Sequence, residues 1–205
     1  MVELRGADSD NLRPIEAATA DFVWEIDALG TRNQEDEMAI RIGTFEMSTP
    51  IGTLRGAVHD GALCALGFEP WVELEDRLGR RFGEVRCERG GGGPIAARLR
   101  RYFQGEIDAL RDLRVDAGGT PFERRVWAAL RKIPVGTSTA YGRLATTVGT
   151  PGAARAVGTA NARNPVAIVV PCHRVVREDG SLSGYAGGVH RKRWLLDHEA
   201  RHAGG

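Results

Sequence analysis

Short apolar runs at 42–47, 54–58 and 62–68 are separated by Ser48-Thr49-Pro50-Ile51-Gly52 and by His59-Asp60-Gly61. Both separators have turn chemistry, so the region predicts a β meander of three strands. The period changes after Trp71. Val72, Leu74, Leu78 and Phe82 fall at helical spacing, which predicts a helix over 71–82. The segment RGGGGP at 89–94 punctuates the chain. Pro94 suits a first helical turn, so a second helix is expected over 95–103. A connector over 104–117 is closed by Gly118-Gly119.

The next signal is sharper. Thr120-Pro121-Phe122-Glu123 has the form of a capping box with proline at the first helical position. Phe122, Val126, Ala129, Leu130 and Ile133 follow at helical intervals until Pro134 stops the helix. Ser138 or Thr139 is expected to cap a short helix holding Tyr141, Leu144, Ala145 and Val148. Gly149-Thr150-Pro151-Gly152 breaks the chain, and a third helix is expected over 153–162. Two short helices about a glycine-containing turn form a helix-turn-helix pattern, which ordinary helical hairpins share. The third helix presents a face of Ala, Gly, Thr and Asn with one long cation, Arg155. Such a face suits close approach to a neighbouring helix or to another molecule; packed against a helix, Arg155 would need a buried partner. The run VAIVV at 166–170 predicts a buried strand ended by Pro171, and Val175-Val176 resumes an extended path. A glycine-rich loop at 182–188 carries one aromatic residue, Tyr185. The last helix, 189–201, is expected to turn Trp194, Leu195 and His198 inward and Arg191, Lys192 and Arg193 outward.

These elements predict an α+β chain with a sheet-bearing part over 41–117 and a mainly helical part over 118–205. Composition supports an ordinary globular protein: of 205 residues, 42% are hydrophobic and 27% charged, enough to bury a core without disulfides. No run approaches the roughly 18 apolar residues of a membrane helix, and MVELRGADSD lacks the apolar centre of a secretory signal. Cys64, Cys87 and Cys172 form an odd, sparse set with no CxxC, which points to a reducing, cytoplasmic compartment. Three scattered cysteines and five histidines offer no zinc spacing, so no metal is expected.

The net charge of +1 hides an asymmetry, because residues 118–205 carry 13 Lys+Arg against 5 Asp+Glu. A basic half suits a polyanionic partner, and equally a solvated arginine surface. Residues 1–40 hold 10 acidic and 3 basic residues. They read either as a helix over 14–29, with Ile15, Ala18, Phe22, Ile26 and Leu29 on one stripe, or as a weakly ordered acidic arm.

Candidate chemistry centres on Pro171-Cys172-His173-Arg174. A thiolate is the nucleophilic form of cysteine, and a nearby base or cation creates it. Neighbours in an extended chain point to opposite faces, so a bridging water is the natural relay between Cys172 and His173. His173 in turn needs an acidic orienter, and Glu199 is the best placed. A buried structural cysteine beside a surface His-Arg pair would have the same sequence. A cysteine hydrolase would need an oxyanion hole that no motif supplies, and a helix-turn-helix regulator would have no use for PCHR.

Several segments together carry a resemblance. NPVAIVVPCHRVV (164–176), SGYAGG (183–188) and WLLDHE (194–199), preceded by GTPFERRVW (119–127), AYGRLA (140–145) and ARAVGTA (154–160), resemble the O6-alkylguanine-DNA alkyltransferases, also called methylated-DNA–protein-cysteine methyltransferases. Residues 41–117 are more loosely similar to that family's ribonuclease-H-like N-terminal domain, and the helical part to its winged-helix-like catalytic domain. Residues 1–40 have no counterpart. The resemblance implies transfer of an alkyl group from O6 of guanine, and less well from O4 of thymine, to Cys172 itself, once per molecule and with no cofactor. It implies His173 as the base acting through water, Glu199 as its orienter, Asn164 as the brace of the active turn and Tyr141 as proton donor to the departing base. Arg155 would fill the duplex where the flipped nucleotide was, with Ala154, Gly158 and Tyr141 also at the DNA. Val175, through its carbonyl, and Tyr185, Ala186, Gly187 and Asn161 would form the base pocket. Asn161 and Ala186 depart from some relatives, which have an apolar side chain and a hydroxyl there. The implied partner is double-stranded DNA bearing O6-alkylguanine, bound by a monomer with no obligate protein partner and no membrane.

Overall fold

A computed structural model describes residues 39–90 and 92–203 of the chain. The proposed helix over 14–29, and the acidic arm up to residue 38, lie outside the described residues. The chain is α+β, with a four-stranded sheet first and helices after. Strands β1 (Ile40–Thr49), β2 (Gly52–His59) and β3 (Ala62–Gly67) form the expected meander, and helix α1 (Trp71–Phe82) has its expected bounds. A fourth strand, β4 (Val85–Arg89), runs parallel to β1 and gives the order β3-β2-β1-β4. It escaped the sequence reading because VRCER is an edge strand whose side chains are half-buried or exposed. β3 is buried along its whole length. One sheet face packs Ile42, Ala57 and Ala65 against Leu74 and Leu78 of α1. The other face, with Leu54, Leu63 and Leu66, packs on helix α2 (Gly93–Phe103) through Ile95 and Leu99.

A connector containing a 3-10 turn, Ile107–Leu110, leads to helix α3 (Pro121–Leu130). Its capping box is complete. The Thr120 Oγ1 accepts from Glu123 N at 3.2 Å, and Glu123 Oε2 accepts from Thr120 N at 2.8 Å. Helix α4 (Tyr141–Thr147) and helix α5 (Ala154–Ala162) make the expected pair about a turn. Trp127 of α3 donates to the Ala160 carbonyl at 2.8 Å and so fixes α5. Neither Ser138 nor Thr139 caps α4: the cap is Ala140, with no side-chain hydrogen bond. The reason is that strand β5 (Thr139–Ala140) is held extended against β6 (Val175–Val176). Helix α6 (Val189–His202) closes the chain.

Two further expectations are corrected. The run 166–170 is not a strand. Val166 makes one parallel bridge to Leu66 of β3, and the chain then turns, with Val170 N donating to Val166 O at 3.0 Å. Ile168 has φ of 70°, an unfavourable conformation for a β-branched residue. The run is apolar because a turn, rather than a strand, is buried there. Lys192 also points inward, not outward: it is fully buried, its ammonium donating to the Val175 carbonyl at 2.6 Å and to Ser183 Oγ at 3.1 Å. One apolar cluster runs from Phe45 and Leu54 in the sheet through Tyr102 to Val126, Val157 and Leu195 in the helical part.

The Thr120 cap gives a direct check on local stability. Thr120→Ala is expected to destabilise the fold by about 1 kcal/mol, read as a lowered denaturation midpoint; an unchanged midpoint would mean the box contributes nothing.

Candidate functional site

The site begins with a backbone too tightly turned to satisfy itself. Asn164 completes it: its Oδ1 accepts from Val166 N at 3.0 Å, and its Nδ2 donates to Val170 O at 2.8 Å. Asn161, at the end of α5, donates to the Cys172 carbonyl at 3.3 Å. β3 holds the same segment from the other side, with Leu66 N donating to Pro165 O and Ala167 N to Leu66 O. Buried backbone polar groups need partners, and here two asparagines and a strand edge supply them. Cys172 then opens a 3-10 turn, Cys172–Arg174, instead of the extended path expected from sequence.

All three residues of that turn are buried. His173 Nε2 and Glu199 Oε1 are 2.9 Å apart. A carboxylate only accepts, so Nε2 carries the proton and the Nδ1 lone pair is left with no protein partner. Glu199 takes three more hydrogen bonds: from Arg174 Nε at 2.8 Å, from Arg174 Nη2 at 2.9 Å and from the Tyr102 hydroxyl at 2.8 Å. Burial alone would raise the Glu199 pKa, but the hydrogen bonds and charges of His173 and Arg174 outweigh it and hold the carboxyl far below its usual range. His173 is pushed down, first by burial and then by Arg174 and Lys192, while Glu199 opposes. It is thereby kept neutral and available as a base.

Cys172 lines a cavity of about 830 Å³ between the helical part and the sheet part. Asn161, Asn164, Tyr185, Ala186 and Gly187 line it with Cys172, and Gly67, Phe68 and Glu69 form the facing wall. Burial raises the Cys172 thiol, while Asn164, the Lys192 charge and local backbone N–H groups act against that rise. The Tyr185 hydroxyl is buried with no hydrogen-bond partner; burial, and next the Cys172 sulfur, raise it well above an ordinary phenol. Gly187 is required by space, because a Cβ there would lie 2.8 Å from the Phe68 ring and 2.9 Å from that of Tyr185.

The sequence-derived residues therefore divide into four groups. Cys172, His173, Glu199 and Asn164 converge on one turn. Asn161, Tyr185, Ala186 and Gly187 share its cavity. Val175 and Tyr141 are not among the lining residues. The Val175 carbonyl accepts from Lys192, and the Tyr141 hydroxyl is bonded to Ser183 Oγ at 2.7 Å. Arg155 is exposed on α5 and makes no ion pair among the described residues, beside exposed Ala156 and Thr159. Ala154 and Gly158 are half-buried, with Gly158 facing the Tyr141 ring.

Sequence reasoning missed Tyr102, Lys192 and Ser183, and it set the Arg174 guanidinium beside the sulfur where the structure pairs it with Glu199. Among the described residues no group of three or more His, Cys, Asp or Glu could hold a metal ion, and no helix is long and apolar enough to cross a membrane. The depressed Glu199 fixes an acid dependence. Its stabilisation is complete above the unfolded carboxyl range and is lost as pH falls toward the folded value. Glu199→Gln leaves Arg174 buried without its countercharge. It is expected to destabilise the protein by about 3–5 kcal/mol near neutrality and to flatten the acid limb of stability against pH. A mutant curve parallel to wild type would contradict this.

Residues 121–201 match the family model described as the DNA binding domain of 6-O-methylguanine DNA methyltransferase. The methylated-DNA–protein-cysteine methyltransferase of Salmonella typhimurium is 44% identical over 167 residues, covering 78% of this chain and 96% of that protein. The Mycobacterium tuberculosis protein of the same name is 52% identical over 157 residues, covering 77% and 92%. The crystal structure of the Mycobacterium tuberculosis O6-methylguanine methyltransferase superposes with a TM-score of 0.68 at 39% identity, covering 78% of this chain and 94% of that one. A structure of the same organism's OGT in complex with DNA gives a TM-score of 0.67 at 39% identity. With most of each relative spanned at such identity, this chain belongs to the methylated-DNA–protein-cysteine methyltransferase family.

Proposed function

We propose that the chain repairs DNA by direct reversal, taking the alkyl group of O6-alkylguanine, and less well of O4-alkylthymine, onto Cys172. The observation that carries this reading is a buried thiol facing a cavity, with a neutral histidine in the same turn and that histidine's buried carboxylate reaching it from α6. His173 Nδ1 takes the thiol proton through a water. The thiolate attacks the alkyl carbon, a carbon–sulfur bond forms as the bond to O6 breaks, and Tyr141 gives a proton to the departing base. Ser183, to which Lys192 donates, is bonded to the Tyr141 hydroxyl and fixes its position. No metal or cofactor takes part, since the displacement needs only alignment, a thiolate and a protonated leaving group. The thioether has no route back, so each molecule acts once.

The base must leave the duplex to reach a cavity, and a badly paired lesion is the easier one to extrude. The exposed face of α5 supports a groove contact, with Arg155 filling the vacated stack and Ala154 and Gly158 allowing close approach. Asn161, Tyr185, Ala186 and Gly187 receive the base, and the Val175 carbonyl reads its amino group after exchange with Lys192. In this reading 118–205 is the DNA-binding alkyltransferase domain, 41–117 a ribonuclease-H-like support and 1–40 an acidic arm. The protein acts as a monomer in the cytoplasm with no obligate protein partner.

Intact mass after incubation with duplex containing O6-methylguanine tests the reading. A gain of one methylene unit is expected, on the peptide holding Cys172 and at one equivalent per chain. Cys172→Ala should abolish the gain and keep DNA binding; a modified Cys172→Ala protein would sink the assignment. Arg155→Ala should slow transfer from duplex by about tenfold or more, about 1.4 kcal/mol, and leave transfer from free alkylated base unchanged. Equal slowing of both would remove Arg155 from nucleotide extrusion.

A further inference from the structure

Glu199 is not served by the helical part alone. Its Oε1 accepts three hydrogen bonds, from His173, Arg174 and Tyr102. Tyr102 lies in α2, which packs against the sheet, and its hydroxyl reaches Glu199 across 97 residues of chain. Its placement is rigid. The side chain is 1% exposed, its ring meets those of Phe103 and His198 edge-on, and its carbonyl is bonded to His198 at 2.8 Å.

We propose that Tyr102 is a positioning residue for alkyl transfer, acting through Glu199 on the orientation and basicity of His173. The inference rests on the reading of Cys172 as acceptor. A phenol that donates to a carboxylate oxygen draws charge from it. Less charge then remains to stabilise the imidazolium, and His173 stays neutral at lower pH. The groups facing His173 are Glu199 and Lys192 from α6 and Cys172 and Arg174 from its own turn; Tyr102 reaches it from α2 through Glu199, with Tyr185 and His198 near that carboxylate. Arg174 and Lys192 favour neutral imidazole, and Glu199 favours the cation. Tyr102 moderates that one opposing group. The phenol is raised well above its ordinary pKa, first by burial and then by Glu199, so it remains a donor throughout the working range. It is also the link by which the sheet part reaches the relay directly.

The test is the single-turnover rate of alkyl transfer from O6-methylguanine duplex, measured with the full chain across the titration range of histidine. Tyr102→Phe is expected to move the acid limb upward by about half to one pH unit, as loss of a hydrogen bond to a charged group implies. Site-specific difluorotyrosine at position 102, a stronger donor of nearly the same shape, should move it downward. Ring-nitrogen chemical shifts of His173, followed against pH without DNA, should show both displacements. Superimposable titrations in wild type and both variants would overturn the proposal and leave Tyr102 as packing, whatever stability is lost. Should Tyr102→Phe fail to fold, the fluorinated protein decides alone. A wild-type protein that transfers no alkyl group would remove the Cys172 reading, while the His173 titrations would still judge Tyr102.

Discussion

A carboxylate removed from water and surrounded by four hydrogen bonds organises this chain. Left alone, Glu199 would be protonated by its surroundings or would unfold them. The donors of Arg174, His173 and Tyr102 reverse that tendency. They come from the 3-10 turn and from α2, while the acceptor comes from α6, so one side chain fixes three segments. Buried networks of this kind are costly when incomplete and specific when complete. The local consequence is chemical: the proton of His173 is committed to Nε2, which leaves Nδ1 as the basic atom.

The sheet part reaches the site by three routes. β3 lends its edge to the Val166 turn through Leu66. α2 delivers Tyr102. The β3–α1 connection delivers Phe68, whose ring blocks any side chain at Gly187 and lies under Arg191 at 4.5 Å. Arg191 also donates to the carbonyls of Ile51 and Gly187, so the loop bearing Tyr185 is clamped to the β1–β2 turn. Those contacts are long in sequence and short in space. They explain why the sheet and the helices share one apolar cluster.

Legibility in the sequence followed the range of each interaction. α1 and the Thr120 box were readable because their periodicity and capping are local. The convergence of Cys172, His173, Glu199 and Asn164 was readable because motif spacing and family resemblance carried it. VAIVV misled because apolarity reports burial and says nothing of path; the turn exists through Asn164 and Leu66, both outside the run. Lys192 misled because a lysine between two arginines reads as solvated, and only the tertiary fold supplies the Val175 and Ser183 oxygens that accept it. Tyr102 had no signal, being one aromatic on the apolar face of a helix 97 residues from its partner.

On the proposed reading of Cys172 as the alkyl acceptor, position and not thiol acidity sets it apart from the other two cysteines. Burial raises all three, Cys64 to about 11. Cys64 lies inside the sheet part, its thiol on the Ala57 carbonyl at 3.2 Å, and it lines none of the cavity that holds Cys172. Burial also raises Cys172, yet it faces open volume, and Asn164 and Lys192 favour its anion. A thiol that stays protonated until a base is engaged resists stray oxidation and alkylation. That property would matter most for a sulfur consumed by the proposed transfer. The same burial that raises Cys172 also keeps His173 neutral, so in the proposed reaction one desolvated turn would both protect the nucleophile and preserve the base that releases it.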